Sequence, residues 1–110
     1  MDSTVQRGQN LCKEIEAAYA SFKAAKTTKC CVGPDLTSLV TKHIPVGSSF
    51  DVAESILRNA GFTVDDGGGM LQLGSRFPCG HKLVVDLSPR APVDYSVIDK
   101  VHAEIVIVCP

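Results

Sequence analysis

Residues 79–81, Cys-Gly-His, place a thiol two positions from an imidazole, and this is the pair of residue types best suited to nucleophilic chemistry in the 110-residue chain. A cysteine nucleophile needs a base within hydrogen-bond reach, and that base needs a further group to orient it. Neighbours separated by a single glycine rarely achieve this geometry. We therefore assign no catalytic role to Cys79 or His81, and keep a thiol-dependent enzyme that uses Cys79 with His81 or His102 as the alternative.

His102 and Glu104 form a second candidate pair. Their His-x-Glu spacing matches one part of the zinc-deaminase signature, but the Pro-Cys-x-x-Cys part is missing from the sequence. Residues two apart on a strand share a face, so these two side chains are expected to pair with each other. The cysteines contain no Cys-x-x-Cys and so give no zinc pattern. The sequence thus predicts no catalytic, cofactor-binding or metal-binding residues, and no cofactor.

Two glycine-containing stretches resemble ligand-binding motifs but fit turns better. Residues 67–69 are three glycines, yet a phosphate-binding loop must be followed by a helix, and here a strand pattern follows. Gly47-Ser48-Ser49 is not a nucleophile elbow, because Phe50 and Asp51 come next. We expect a flexible hairpin turn at 67–69, and helix capping by one of the two serines.

The charge balance argues against a nucleic-acid partner. The chain has 11 Lys+Arg and 12 Asp+Glu, for a net charge of −1, and these residues form no basic cluster. No apolar run approaches the roughly 20 residues of a membrane-spanning helix. The polar start, MDSTVQRG, is not a signal peptide. The protein is therefore expected either to remain in the cytoplasm or to begin after a removed signal.

The five cysteines, at positions 12, 30, 31, 79 and 109, bear on that choice. Their odd number leaves at least one unpaired within a monomer. Neighbouring cysteines rarely bond to each other, so Cys30 or Cys31 with Cys12, and Cys79 with Cys109, are the candidate pairs; spacing does not select between them. Because structural disulfides persist outside reducing compartments, we expect a periplasmic protein with at least one disulfide, involving Cys79 or Cys109.

The first 60 residues carry helical patterns. Residues 10–26 predict one helix, and a second, shorter helix begins at Pro34 and ends before Pro45. The third helix is the one around which the rest of the chain is arranged. We expect it to end at Gly61, with a positive φ at that residue. Glu54 and Arg58 are expected to face water, and four residues at helical spacing form its buried stripe: Ala53, Ile56, Leu57 and Ala60.

Strand patterns follow at 62–65, 70–73, 82–87 and 101–109, with an irregular segment at 76–80 and a long loop from Ser88 to Asp94. The last strand is apolar on both faces in its second half, which predicts a central or covered position. This order predicts an α+β fold, with N-terminal helices on one face of a three- to four-stranded antiparallel sheet. We expect one domain, 1–110, in which a helix and turn (1–33) precede an α+β core (34–110).

The stretch 43–62, HIPVGSSFDVAESILRNAGF, followed by short strands and a closing strand, resembles the BamE or SmpA-type lipoproteins of the outer-membrane barrel-assembly machinery. β-Lactamase inhibitory proteins are similar in their building blocks. The resemblance covers roughly residues 44–109. The chain departs from that family in its extra N-terminal helical region, in lacking an N-terminal lipobox cysteine and in having no Trp. The resemblance implies a non-enzymatic, protein-binding domain of the bacterial envelope, and it supplies no site residues.

The expected function is therefore that of a small protein-binding or envelope-assembly domain whose partner is another protein. An immunity or inhibitor protein that neutralises one enzyme or toxin is a further alternative. The contact surface is expected on the side of the sheet away from the helices, or along the Ser88–Asp94 loop. Apolar residues on that side, such as Val106 and Val108, need a partner or loop cover.

Overall fold

The computed structural model describes residues 3–24, 35–65, 67–76, 79–91 and 94–108. Its strands pair antiparallel in the order β1-β2-β3-β4, and the helices pack on one face of this sheet. This confirms the predicted α+β fold. The described elements are α1 (Ser3–Ala24), α2 (Thr37–His43), α3 (Phe50–Asn59), β1 (Thr63–Asp65), β2 (Gly68–Arg76), β3 (Cys79–Ala91) and β4 (Asp94–Val108).

Helix α3 has the predicted start and the predicted buried face. The Ser49 hydroxyl accepts a hydrogen bond from the Val52 N–H at 3.2 Å, whereas the Ser48 hydroxyl donates to a carbonyl of the preceding turn. Arg58 is exposed as expected, but Glu54 is half-buried. Five side chains of and next to α3 enter the core: Phe50, Ala53, Ile56, Leu57 and Ala60.

Helix α1 begins seven residues earlier than predicted, at Ser3 rather than position 10. Its first part has no apolar stripe and includes Gly8, which weakens a helix by propensity alone. Tertiary packing overrides that weakness. Gly8 lies against α3, where an added Cβ would be 2.4 Å from the Asn59 Cβ and 2.8 Å from the Ile56 carbonyl oxygen. The two helices can approach this closely only at a glycine. The predicted end of α1, at residues 25–26, lies outside the described residues.

The start of α2 fastens the helices to the sheet. The Leu36 N–H donates to the Ala103 carbonyl at 2.8 Å, and the Thr37 hydroxyl accepts from the Ala103 N–H at 3.0 Å. The Asp35 carboxylate accepts from the Thr37 N–H at 2.8 Å. Hydrogen bonding from the Thr37 side chain, together with this backbone bond, lowers the pKa of Asp35. Helix α2 therefore starts at Thr37, and the predicted start at Pro34 lies outside the described residues.

Strand β4 lies at the edge of the sheet, so its predicted central position is wrong. Its outer backbone groups are covered instead by the start of α2 and by the α2–α3 connection. Besides the contact at Ala103, the α2–α3 connection pairs with Ile98. The Gly47 N–H donates to the Ile98 carbonyl at 2.8 Å, and the Ile98 N–H donates to the Ser48 carbonyl at 2.9 Å. These bonds satisfy backbone groups that an apolar edge strand would otherwise leave open to pairing with other chains.

The long loop predicted between Ser88 and Asp94 is wrong, because β3 continues to Ala91, which pairs with Asp94. Pro89 had indicated a loop. It is tolerated because it lies at a shift in the β3–β4 register and beyond Asp86, the last β3 residue paired with β2. A missing N–H on that side costs no ladder hydrogen bond.

The segment predicted to be irregular at 76–80 is also largely strand. Arg76 pairs with Cys79, and Ser75 pairs with Gly80, so β2 and β3 form their ladder up to this end. Residues 77 and 78 lie outside the described residues. Proline at position 78 and glycine at position 80 had suggested an irregular path, but long-range pairing of β3 with both neighbours overrides these local signals.

A bulge at Asp99 keeps β4 facing the core along its length. Ser88 pairs with Lys100 and Pro89 with Ile98, so Asp99 has no partner on β3. From residue 101 onward the odd-numbered side chains face the helices. The extra residue changes this parity, and the even-numbered Ile98 is buried as a result.

Gly61 and Gly68 both have constrained backbones, so the turn at 67–69 is less flexible than expected. Gly61 has the positive φ predicted for the stop of α3, at 100°. Gly68, however, is a buried residue of β2, and an added Cβ there would lie 2.0 Å from the Val85 carbonyl oxygen. Only a glycine lets the start of β2 approach β3 at this point.

We expect Gly68→Ala to be more damaging than the same change at two other glycines with positive φ. Gly47→Ala and Gly61→Ala should each lower the free energy of unfolding by about 1–2 kcal/mol, through backbone strain alone. Gly68→Ala adds overlap with the β3 backbone and should cost about 2 kcal/mol or more. Urea denaturation of the three variants measures the difference. A loss at Gly68 no larger than at Gly47, where an added Cβ has nothing within 4 Å, would contradict the close approach.

Candidate functional site

His81 is a buried histidine on the helix-facing side of β3, with 5% of its surface exposed. Its Nδ1 lies 2.8 Å from the Tyr19 hydroxyl of α1. Its ring packs edge-on against Tyr19 and Phe22, with ring centroids 5.6 and 5.4 Å apart. Burial raises the pKa of Tyr19, so the phenol stays protonated and can donate to the imidazole. Gly74, opposite His81 on β2, makes room for the Tyr19 ring.

This environment gives His81 a structural role in fixing α1 to the sheet. Of the candidate pair Cys79 and His81, only the His81 side chain is described, because the Cys79 side chain lies outside the described residues. His102 is on the opposite face of the sheet from His81. One thiol therefore cannot use both histidines as bases. A thiol-dependent enzyme would use Cys79 with either His81 or His102, but not with both.

His102 and Glu104 share a face of β4 and pair, as predicted. The His102 Nε2 lies 3.7 Å from the Glu104 Oε1, and both side chains are about half exposed. Within the described ranges, no three His, Cys, Asp or Glu side chains are placed to hold a metal ion. This pair is therefore a feature of a solvent-facing surface.

Glu14 joins α1 to α2 through two partners. Its Oε1 lies 2.8 Å from the Lys42 Nζ, and its Oε2 bonds the His43 Nε2. These two partners lower the pKa of Glu14. His43 lies in the last turn of α2, and its side chain is only 11% exposed. No local sequence pattern predicts this cluster, because Glu14 and its partners are 28 and 29 positions apart in the chain. With Asn10 and Lys13 they line a depression of about 390 Å³.

Cys12 is a free thiol on α1. Its Sγ donates to the Glu16 carboxylate at 3.7 Å, and burial, with the Glu16 charge, raises the pKa of Cys12. A thiol with a raised pKa is a poor nucleophile at neutral pH. Cys30, Cys31, Cys109 and the Cys79 side chain lie outside the described residues, so the disulfide expected at Cys79 or Cys109 stays a prediction.

The side of the sheet away from the helices is a surface built by the strands, and we call it the open face. Strand pairing sets its cross-strand neighbours: Lys82 with Val106, Val84 with both Met70 and Glu104, and Asp86 with His102. Met70 is 43% and Val108 49% exposed, and Val84 and Val106 are half-buried. The open face thus has apolar and charged residues side by side, and Val106 and Val108 lie on it as predicted.

A notch indents the open face at one end of β3. Gly80 has no side chain, and beside it Gln72, Lys82 and Val108 surround a depression of about 260 Å³ together with His81. The Gln72 amide donates to the His81 carbonyl at 3.2 Å, which holds one wall in place. The notch offers apolar contact next to one ammonium group.

We expect Tyr19→Phe to lower the free energy of unfolding by about 1–3 kcal/mol, because it leaves the buried His81 Nδ1 without its partner. His102→Ala removes an exposed histidine and should change stability by less than about 0.5 kcal/mol. Urea denaturation at neutral pH compares the two. Equal, small effects would show that the Tyr19–His81 bond does not fasten α1.

The Glu14 cluster predicts a specific dependence of stability on pH. The folded pKa of Glu14 is lowered below its ordinary 4.5, so its ion pairs stabilise the fold above that value. This contribution is lost as the pH falls through the lowered pKa. Glu14→Gln should therefore lose less stability than the wild type between about pH 5 and pH 3. Thermal melts of wild type and Glu14→Gln across this range test it, and parallel losses of stability in the two proteins would contradict it.

No helix in the described part of the chain is long and apolar enough to cross a membrane. The comparisons with known proteins leave the site to be interpreted from its own geometry. No protein-family model, no curated protein and no solved structure matches this chain.

Proposed function

We propose that this chain is a non-enzymatic protein-binding domain that contacts its partner through the open face of its sheet. The observation that carries the proposal is the exposure of large apolar side chains on the face that the helices leave uncovered, Met70 and Val108 above all. Half-buried Val84 and Val106 join them into one patch. Exposed apolar patches of this kind mark protein interaction surfaces.

The charges on the open face indicate the chemistry of the partner. Lys82 lies opposite Val106 and Glu104 lies opposite Val84, so charged and apolar residues alternate across the patch, and Asp86 lies beyond Val84. A partner surface would meet these with apolar side chains and both signs of charge. Because the charge is nearly balanced, binding should depend only weakly on salt, unlike a phosphate-directed interaction.

The histidines support a binding function over a catalytic one. His81 is engaged by Tyr19 inside the core, His43 by Glu14 between two helices, and His102 pairs with Glu104. A general base must reach a proton of its substrate, and the His81 and His43 rings are buried or nearly so. An enzymatic activity that is abolished by Cys79→Ala would overturn the proposal.

The resemblance to BamE or SmpA-type lipoproteins supports a more specific form, in which the domain acts after export and assembles with another envelope protein. The alternative is an immunity or inhibitor protein. Tight one-to-one binding to a single enzyme or toxin, with loss of that enzyme's activity, distinguishes the alternative from an assembly role. Export also carries the expectation of at least one disulfide, which intact mass after alkylation without reductant would reveal.

The test compares lysine substitutions at valines on and off the open face. Val106→Lys and Val108→Lys put a charge into the patch. Val46→Lys is the matched control, because Val46 is 55% exposed and Val108 49%, and Val46 lies in the α2–α3 connection. Circular dichroism and thermal melts first establish that each variant folds.

Tagged wild type and variants are then used to capture partners from a native extract, and the captured protein is purified and titrated directly. We expect wild type and Val46→Lys to bind it alike, and the two open-face variants to bind at least about tenfold more weakly, since a buried charge without a partner opposes association. Equal binding by all four proteins would eliminate the open face as the site.

A further inference from the structure

We infer that the partner of the open face is a second copy of this chain, packed face to face in a two-fold symmetric dimer centred on Val84. This inference rests on the proposed function of the open face and names its partner. It starts from three residues of β3. Lys82, Val84 and Asp86 follow one another at every second position and face the same side, away from the helices.

These three residues are complementary to themselves when β3 is reversed. A two-fold axis that runs in the interface, across the strands at Val84, turns β3 of one copy antiparallel to β3 of the other. Val84 then meets Val84 of the second copy, and Lys82 meets Asp86 of the second copy. Symmetry forms the same ion pair twice, which is the self-complementarity that a closed dimer requires.

The flanking strands are compatible with the same axis. Met70 is paired with Val84 in the sheet and so faces its own symmetry mate, which gives the interface an apolar contact beside its centre. On β4, Val108 and Lys100 lie four residues on either side of Glu104. The axis therefore places the aliphatic stem of Lys100 over Val108 of the second copy, where it covers exposed apolar surface while its ammonium group stays in water.

The notch also finds a counterpart. Gly80 and Ser88 lie four residues on either side of Val84, so the axis brings the small Ser88 side chain of one copy over the notch at Gly80 of the other. Glu104 faces its own mate, which is unfavourable. Both copies of Glu104 are about half exposed at the sheet edge and each lies 3.7 Å from a His102 imidazole. Because β4 is the edge strand, both carboxylates lie at the rim of the interface, where water weakens their repulsion.

The size of the face sets the strength of the dimer. Four strands about 4.8 Å apart, over about 26 Å of β3, give a plan area on the order of 500 Å². Stable interfaces bury about 800 Å² on each partner, and weak, reversible ones bury less. We therefore expect a reversible dimer, with a dissociation constant on the order of 100 μM.

Sedimentation of the full chain from about 10 μM to about 1 mM tests the inference, since this range spans the expected dissociation constant. The weight-average mass of the wild type should rise from 11.7 kDa toward twice that value. Lys82→Glu and Asp86→Lys should each weaken association by about tenfold, because symmetry applies every substitution twice. The double variant Lys82→Glu/Asp86→Lys should restore it. Arg58→Glu, on the exposed side of α3, is the charge-reversal control and should behave as wild type.

A second measurement does not depend on variants. Zero-length carbodiimide cross-linking of a 1:1 mixture of ¹⁴N- and ¹⁵N-labelled chains should give a Lys82–Asp86 linked peptide with mixed isotopes. A wild type that stays monomeric up to about 1 mM, or a double variant as weak as the single ones, overturns the second copy as partner. A monomer that still captures another protein through Val108 leaves the proposed function standing, so the two failures are distinguishable.

Discussion

The pairing of β3 with β4 decides which side chains face the helices and which face solvent, and the rest of the structure depends on it. With Val85 opposite Ala103 and Leu83 opposite Ile105, both strands turn apolar side chains inward. A slip of one residue would exchange the two faces of each strand. The core and the open face are therefore two results of one register.

On the helix side, this register brings together contacts that hold a three-helix layer in place. His81 enters the core next to Leu83 and is satisfied there by Tyr19 of α1. The outward backbone groups of Ala103 bind the start of α2, which also protects the edge of the sheet. Residue types that often carry chemistry thus serve packing and polar satisfaction here, since a buried polar group needs a partner.

On the opposite side, the same register collects apolar residues from three strands onto one uncovered surface. Val84 and Val106 are half-buried by their neighbours, while Met70 and Val108 remain exposed. Helix contacts cover the first face, and nothing among the described elements packs on the second. The division between a helix-covered face and an open one is what turns a small α+β scaffold into a candidate binding module.

Local sequence determined the elements whose signals are short-range. The spacing of Ala53, Ile56 and Leu57, with Gly61 after them, gave α3 its face and its stop, because a helix is built from contacts three and four residues apart. Alternation along β4 likewise placed Val106 and Val108 on one side. The α+β class followed from the order of these elements.

Tertiary structure alone decided the features that join distant residues. Helix α1 continues through Gly8 because α3 packs closely against it. Pro89 is part of β3 because β2 pairs with β3 only as far as Asp86. Glu14 bonds to His43, which is 29 positions away in the chain. The edge position of β4 and the row that unites Met70 with Val84 depend on strand order and register. No local pattern encodes these, because each is fixed by a partner that the chain reaches only after it has folded.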